Sequence, residues 1–137
     1  MATRISAGTV SGTLGAVANN AYSGGLRINN TGLALAADFR LTAATFATAP
    51  TTGALVLVAV DRDNSGNAGP TPSSSMVPRY VGTFDPQPST GNATTSWVMG
   101  IDGVSLTTDA DYYVYNAATG QTLNAGASLA ANLFNIG

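Results

Sequence analysis

The chain of 137 residues lacks lysine, glutamate, histidine and cysteine, so its only charged side chains are five arginines and seven aspartates. Enzymes draw most of their general bases, activated nucleophiles and soft metal ligands from the missing residue types. Without histidine or lysine, no serine has the partner that a hydrolase triad requires. Without cysteine, disulfides are excluded and redox chemistry indicates no compartment. We therefore expect a protein that is not an enzyme and that needs no cofactor.

Charged residues make up 9% of the chain, against roughly 25% in an ordinary soluble domain, while the apolar fraction of 45% is ordinary. The place of the charged residues is taken by glycine, alanine, threonine, serine and asparagine. Pressing such a surface against another protein requires little charge desolvation and freezes few long side chains. The composition suits a permanent interface, although low-charge β domains of this kind also exist as free modules.

The length and the longest apolar run limit the architecture. A chain of this size buries enough surface for one core, so we expect one domain. The longest apolar stretch, Ala54–Val60, is much shorter than the roughly 20 residues of a membrane span, and the N-terminus lacks the pattern of a secretory signal. The arginines are scattered along the chain rather than clustered. We expect neither a membrane nor a nucleic-acid partner.

Residues 1–30 consist mainly of small and polar residues and show no sustained hydrophobic period, only isolated apolar residues such as Ile5 and Val10. This pattern predicts an N-terminal extended arm over residues 1–30 rather than a core element. The β-sandwich domain is predicted to cover residues 31–137, with its core starting at about Leu33. We expect the arm to lie against either its own sheet or a neighbouring subunit.

Alternation of apolar and polar residues begins at Leu33 and predicts a half-buried strand. The apolar face of this strand comprises Leu33, Leu35, Ala37, Phe39 and Leu41. The aliphatic run Ala54–Val60 is typical of a central strand with both faces covered. Shorter strands are predicted at Arg79–Phe84, Ser96–Ile101, Asp111–Asn116, Gln121–Ala125 and Ser128–Phe134.

The gaps between these segments indicate how the strands connect. Tyr112–Asn116 and Gln121–Leu123 flank Ala117–Gly120, which predicts a hairpin with Gly120 in the left-handed conformation. Seven or eight strands without a capped helical pattern imply an all-β fold, a jelly-roll-like antiparallel β-sandwich with an N-terminal extended arm. The connections 61–78 and 85–95 are long, and long loops are usually functional or disordered.

One acidic segment has both a metal-binding and a structural interpretation. Asp61, Asp63, Ser65 and Gly66 match the beginning of a calcium loop, with oxygen ligands at alternate positions. The match fails at its twelfth position, where Pro72 stands in place of the bidentate glutamate. The structural interpretation is a polar turn that leaves the core strand, since aspartate, asparagine, serine and glycine are common turn residues.

A second acidic pair, Asp109 and Asp111, lies two residues apart, so both carboxylates face one side of a strand. Paired carboxylates perform acid–base chemistry or hold a metal. The alternative is that both bond backbone amides where a turn enters the strand. We favour the structural interpretation for both acidic segments and predict no catalytic residue and no metal site.

Four aromatic residues in the second half, Trp97, Tyr112, Tyr113 and Tyr115, are candidates for a sugar-stacking platform or for interface anchors. The alternation of a strand places Tyr112 on the face opposite Tyr113 and Tyr115. At least one of these faces is therefore expected to belong to the core.

Three stretches of the second half resemble the head decoration, or cement, proteins of tailed bacteriophages. The stretches are Leu55–Gly66, Val77–Phe84 and Asp109–Leu123. The resemblance lies in these short sequences and in the composition, and it covers roughly residues 50–130. The resemblance implies a jelly-roll domain on the outer capsid surface of the virion, made in the host cytoplasm, that ties neighbouring major capsid proteins together. Its implied partners are the major capsid protein and further copies of the chain, as a homodimer or homotrimer.

The alternative function is that of a β-sandwich module in a phage tail or fibre that recognises a host glycan, which requires an exposed aromatic platform near Trp97. Under the decoration hypothesis, contacts with a partner are expected from the arm and from the long loop after the core strand. These predicted contact residues are Arg4, Ile5, Val10, Arg62, Arg79 and Tyr80. Each of them has the alternative of contacts within its own chain only.

Overall fold

The computed structural model describes residues 3–84 and 97–137, which contain eight β-strands and no helix. The strands are β1 (Arg4–Thr13), β2 (Leu26–Asn29), β3 (Ala36–Ala44), β4 (Ala54–Asp61), β5 (Arg79–Thr83), β6 (Trp97–Ser105), β7 (Asp109–Ala117) and β8 (Ser128–Ile136). The second long connection that we predicted, 85–95, lies outside the described residues.

The strands form two antiparallel sheets, with the orders β1-β8-β3-β6 and β2-β7-β4-β5. The first strand pairs with the last, the second with the seventh, the third with the sixth and the fourth with the fifth. This is the pairing of one long hairpin rolled into two layers, and it defines a jelly roll. The predicted fold class, an all-β jelly-roll-like sandwich, is confirmed.

The central strand β4 contributes several side chains to the core. In β4, Leu55, Leu57 and Ala59 are buried toward the opposite sheet, and the alternate residues Val58 and Val60 are buried as well. Because β4 lies between β7 and β5, both of its edges are paired. The prediction of a central strand covered on both faces is confirmed for the second half of this strand.

The predicted alternating strand begins later than its sequence pattern. Ala37, Phe39 and Leu41 of β3 are fully buried, as expected, but Leu33 and Leu35 precede the strand and are exposed. Leu33 has a positive φ of 54°, a conformation that an alternating strand does not contain. The apolar pattern therefore continues into a turn that leaves both leucines facing solvent.

The segment predicted as an arm, residues 1–30, is part of the sandwich wherever the structure describes it. β1 pairs with β8 and β2 pairs with β7, so the segment adds one edge strand to each sheet. Between them, Leu14 and Val17 are buried, and Val17 exchanges two backbone hydrogen bonds of 2.9 Å with Leu123. The segment is extended and lies against its own sheets, which is one of the two alternatives expected for it, and its buried side chains also contribute to the core. Edge strands face solvent on one side, so they fold without a continuous hydrophobic period.

The predicted hairpin around Ala117–Gly120 is wrong in its pairing. Gly120 does adopt a positive φ of 70°. However, β7 pairs with β2 and β4, and Leu123 instead forms isolated bridges with Val17 and Phe46. The chain crosses here from one sheet to the other, which is the connection that a jelly roll requires before its last strand.

Candidate functional site

The outer face of the sheet β2-β7-β4-β5 holds two ion pairs. Asp109 and Asp111 both point outward from β7, as the two-residue spacing predicted, and each meets an arginine. Arg27 donates from Nε and Nη2 to the two carboxylate oxygens of Asp109, at 3.0 and 2.7 Å. This bidentate geometry is the favourable one for an arginine and a carboxylate.

The second pair joins the long loop to β7. Nη2 of Arg62 donates to Oδ1 of Asp111 at 3.0 Å, and Nη1 donates to the carbonyl of Gly66 at 2.9 Å. Nε of Arg62 is buried 3.0 Å from Oδ2 of Asp111 but is not aligned for a hydrogen bond. Arg62 therefore fixes the start of the long loop to the sheet, and the two outward aspartates serve as structural partners.

The hydrogen bonds from Arg27 hold the pKa of Asp109 below its usual value, and the same pair raises the pKa of Arg27. The unfolded chain has an aspartate pKa of about 3.9. Because the folded pKa is the lower one, ionised Asp109 stabilises the fold above about pH 3.9, and this contribution disappears as the pH falls through the folded pKa.

Asp109→Asn should therefore lower the urea midpoint at pH 7 and make stability less dependent on pH below about pH 4. Arg27→Gln should have the same effect, because it removes the group that depresses the pKa of Asp109. Urea unfolding between pH 3 and pH 7 measures both variants against the unchanged chain. If the urea midpoint of both variants falls with pH below about pH 4 as steeply as that of the unchanged chain, the stabilising role of the Arg27–Asp109 pair is contradicted.

Next to these pairs lies an open polar cavity of about 410 Å³, between the end of β2, the start of β7 and residues 61–66. Asp61, at its wall, accepts from Arg79 at 3.0 Å and from Thr107 at 3.2 Å. The charged side chains that line the cavity thus form hydrogen bonds or ion pairs within the chain.

The segment that resembled a calcium loop forms the polar turn. Asp63 accepts the backbone N–H of Ser65 and of Asn67, and the side-chain amide of Asn67, at 2.8 to 3.0 Å. Hydrogen bonds from Asn67 lower the pKa of Asp63. Across residues 3–84 and 97–137, no three acidic side chains gather where a metal ion could be held.

The other sheet has two further ion pairs on its outer face. Arg4 of β1 pairs with Asp38 of β3, and its guanidinium also lies 4.1 Å from the ring centre of Phe134. Arg40 pairs with Asp102 at 2.7 Å. Each of the five arginines in the chain is therefore paired with a different aspartate of the same chain. The surface presents its positive charges already neutralised.

Four exposed aliphatic side chains lie at one end of the sandwich, which we call the apolar end: Ile5, Leu33, Leu35 and Ile136. Ile5 and Ile136 lie on neighbouring strands, because β1 begins where β8 ends. The backbone N–H of Leu35 donates to the carbonyl of Phe134 at 3.1 Å, which places Leu35 beside the end of β8. Leu33, in the turn before β3, is 75% exposed.

The tyrosines divide between the two faces of β7 as predicted. Tyr112 is buried against Phe39, with ring centres 4.9 Å apart. On the outer face, Tyr115 stacks on Tyr22 at 4.5 Å, and the backbone of Gly25 lies against the ring of Tyr113. Both outer rings are half-covered by their own chain. The side chain of Trp97, the centre of the predicted glycan platform, lies outside the described residues.

The structure separates the six predicted contact residues into different surfaces. Arg4, Ile5 and Val10 lie along β1; Arg4 is ion-paired, Ile5 is exposed, and Val10 packs partly on the core. Arg62 and Arg79 are both ion-paired within the chain.

Tyr80 lies on the edge strand β5, is 63% exposed, and shares a 2.8 Å hydrogen bond with Thr83 through its hydroxyl. Of the six predicted residues, Ile5 and Tyr80 therefore present large, exposed apolar surface, and they lie on different sheets.

Leu33, Leu35 and Ile136 were not predicted as surface residues. The signal that could have found Leu33 is the preceding Asn-Thr-Gly sequence, a turn signal that interrupts the alternating pattern. The ion pairs carry no such signal, because Arg27 and Asp109 are 82 positions apart.

Within the described part of the chain, no helix has the length and apolar character that a membrane span needs. Comparison of the chain with protein-family models, with curated proteins and with solved structures finds no match.

Proposed function

We propose that this protein decorates the outer surface of a tailed-phage capsid and stabilises the shell by bridging neighbouring major capsid proteins. The observation that carries the proposal is the pairing of all five arginines within the chain. With its positive charges neutralised internally, the surface consists mainly of small polar residues, with exposed aliphatic residues at the apolar end. Such a surface desolvates at low cost when it is pressed permanently against another protein.

The placement of the three stretches that resemble decoration proteins supports this proposal. Leu55–Gly66 contains most of β4 and the turn after it, Val77–Phe84 contains β5, and Asp109–Leu123 contains β7. These strands are neighbours, in the order β7-β4-β5. The resemblance thus covers one continuous part of a sheet, although its stretches are far apart in sequence.

Shell stabilisation by such a protein follows from linkage. A protein that binds the expanded shell and not its dissociated subunits shifts the equilibrium toward the shell. A dimer or trimer of the chain that contacts two capsomers adds avidity, because its second contact is intramolecular. We place the contact at the apolar end, where Ile5, Leu33, Leu35 and Ile136 are exposed.

Binding to shells tests the proposal directly. Purified protein should bind saturably to expanded shells assembled without it. Salt weakens contacts between exposed charges, and the arginines of this chain are already paired, so the affinity should change by no more than about threefold between 50 and 500 mM NaCl. Leu33→Asp should weaken binding by tenfold or more, because it places a charge in the contact at an exposed position whose positive φ of 54° aspartate tolerates. The matched control is Val77→Asp, at an exposed position on the loop before β5.

Two results would contradict the proposal. The first is saturable binding to whole host cells without binding to shells, which would favour a tail or fibre module that recognises a glycan. The second is a steep loss of shell binding with salt, which would show that unpaired charges carry the contact.

A further inference from the structure

Among residues 3–84 and 97–137, no strand pairs with the edge of β1 that faces away from β8. β1 is the first strand of its sheet, with β8 hydrogen-bonded on one side, and its residues from Arg4 to Thr9 are exposed. Edge strands are commonly protected from further pairing by lysine, proline or a bulge. β1 contains neither lysine nor proline, and its bulge at Gly8, with a φ of 108°, lies toward its N-terminal half. The half from Thr9 to Thr13 is therefore the part of the edge with a regular register, and Thr9, Ser11 and Thr13 in it are exposed.

The direction of the free groups follows from the ladder. Leu14 donates its N–H to the carbonyl of Ala127 at 2.7 Å, so Leu14 faces β8. Alternate residues of an antiparallel strand turn their N–H and C=O groups to opposite sides. Thr9, Ser11 and Thr13 consequently direct their backbone donors and acceptors away from β8, where an added strand would meet them.

A cavity of about 350 Å³ lies beside the same strand, between residues 7–10 of β1 and residues 29–34, which end β2 and continue into the turn before β3. Its apolar walls include Val10, Ala34 and Leu133, and its remaining lining residues are uncharged. Ala34 and Leu133 belong to the core of the sandwich. An aliphatic side chain placed in the cavity would therefore pack against Val10, Ala34 and Leu133, beside polar lining residues that carry no charge.

We propose that β1 is the acceptor for an extended, uncharged segment of the shell protein. The segment pairs with the edge at Thr9–Thr13 and places one aliphatic side chain in the cavity. In this mode the main-chain hydrogen bonds contribute affinity and the side-chain pocket contributes specificity. The inference rests on the proposed capsid function and specifies one contact of that interface. The contact lies beside the apolar end, because Leu33 and Leu35 lie in or next to the turn that lines the cavity.

The composition of β1 favours a different protein over a second copy of the chain as the donor. A symmetric antiparallel pairing over Thr9–Thr13 would place residues 12–15 of the second copy beside residues 7–10, and the aliphatic side chain among them, Leu14, is buried in its own core. β1 itself does not act as the donor, because leaving its sheet would break the ladder to β8. An uncharged donor also matches the uncharged walls of the cavity.

Ser11→Pro removes one outward N–H while leaving the bonds to β8 in place, and Ser11→Thr keeps the N–H as the matched control. Ala7→Leu, at an exposed position on the cavity wall, narrows the cavity by a second route. Each variant is first compared with the unchanged chain by thermal unfolding. Binding to shells prepared without the protein should fall tenfold or more for Ser11→Pro and for Ala7→Leu, and stay within about twofold for Ser11→Thr.

Hydrogen exchange of the unchanged chain gives a reading that does not depend on the variants. On shell binding, the amides of Thr9, Ser11 and Thr13 should exchange at least tenfold more slowly. If the chain binds shells while these amides stay unprotected, strand acceptance is overturned and the capsid function stands. If the chain does not bind shells at all, the proposed function fails. Protection of the same amides in the isolated protein, with a doubled mass, would overturn the shell donor in favour of a second copy.

Discussion

Deleting residues 2–25 should abolish cooperative unfolding, because the segment is structural and not a detachable arm. The deletion removes all of β1 and the buried side chains of Leu14 and Val17. Burial of each such side chain contributes about 1.5–3 kcal/mol, and a whole domain is stable by about 5–15 kcal/mol. β8 would also lose its hydrogen-bonding partner on one side. Urea unfolding followed by circular dichroism should show no sigmoidal transition.

Leu14→Ala is the graded control for the deletion. It should lower stability by about 2–5 kcal/mol while keeping a cooperative transition, since it empties one core position and leaves the β1–β8 ladder intact. A deletion variant that unfolds cooperatively and merely loses shell binding would contradict the structure. That result would restore the interpretation of residues 1–30 as an independent arm.

Arg62→Ala should lower stability by about 3 kcal/mol, because it leaves the buried carboxylate of Asp111 without its partner. The value lies at the low end of the range for buried pairs, since the side chain of Arg62 is 18% exposed and that of Asp111 is 9% exposed. The variant also removes the hydrogen bond to the carbonyl of Gly66, which holds the polar turn after β4. The urea midpoint at pH 7 measures the loss.

The double variant Arg62→Met, Asp111→Leu is the control for this pair. Replacing a buried ion pair by apolar side chains of similar size is often neutral, so the double variant should regain most of the stability that Arg62→Ala loses. If Arg62→Ala unfolds at the same urea concentration as the unchanged chain, Arg62 is not a structural residue. It would then be available for a partner, as the sequence had predicted.

The fold class was predictable because its strongest signals are local. The run Ala54–Val60 identified a central strand, and the alternation through Phe39 and Leu41 identified a half-buried one. Turn residues between short apolar segments excluded helices. Strand pairing was less accessible, since the hairpin expected around Gly120 depended on neighbours in sequence. In the jelly roll, the partner of β7 on one side is β2, and the paired residues are 80 to 86 positions apart.

The contribution of residues 1–30 to the core was not predicted, for a physical reason. An edge strand needs few apolar residues, and β1 packs Val10 against the core, while Leu14 and Val17 are buried in the connection that follows it, without a regular period. A window that searches for period two does not detect such a strand. The beginning of the core was placed too early for the converse reason, because Leu33 and Leu35 continue a pattern that the backbone abandons.

The candidate surfaces were only partly predictable. The scarcity of charge was visible in the composition, but the pairing of each arginine with an aspartate depends on strands that meet only in the folded chain. Arg62 and Arg79 were expected to reach a partner because they lie in or beside a long loop. Both are ion-paired within the chain, which a sequence-based argument about loops does not reveal.

The position of the chain in an assembled particle tests the central claim most directly. A reconstruction of the particle by electron cryomicroscopy should show the sandwich on the outer surface of the shell, bridging neighbouring copies of the major capsid protein. The apolar end should face the shell, and an extended segment of the shell protein should lie beside Thr9–Thr13. Density for the chain in the tail or in a fibre, or its absence from the particle, would contradict the account.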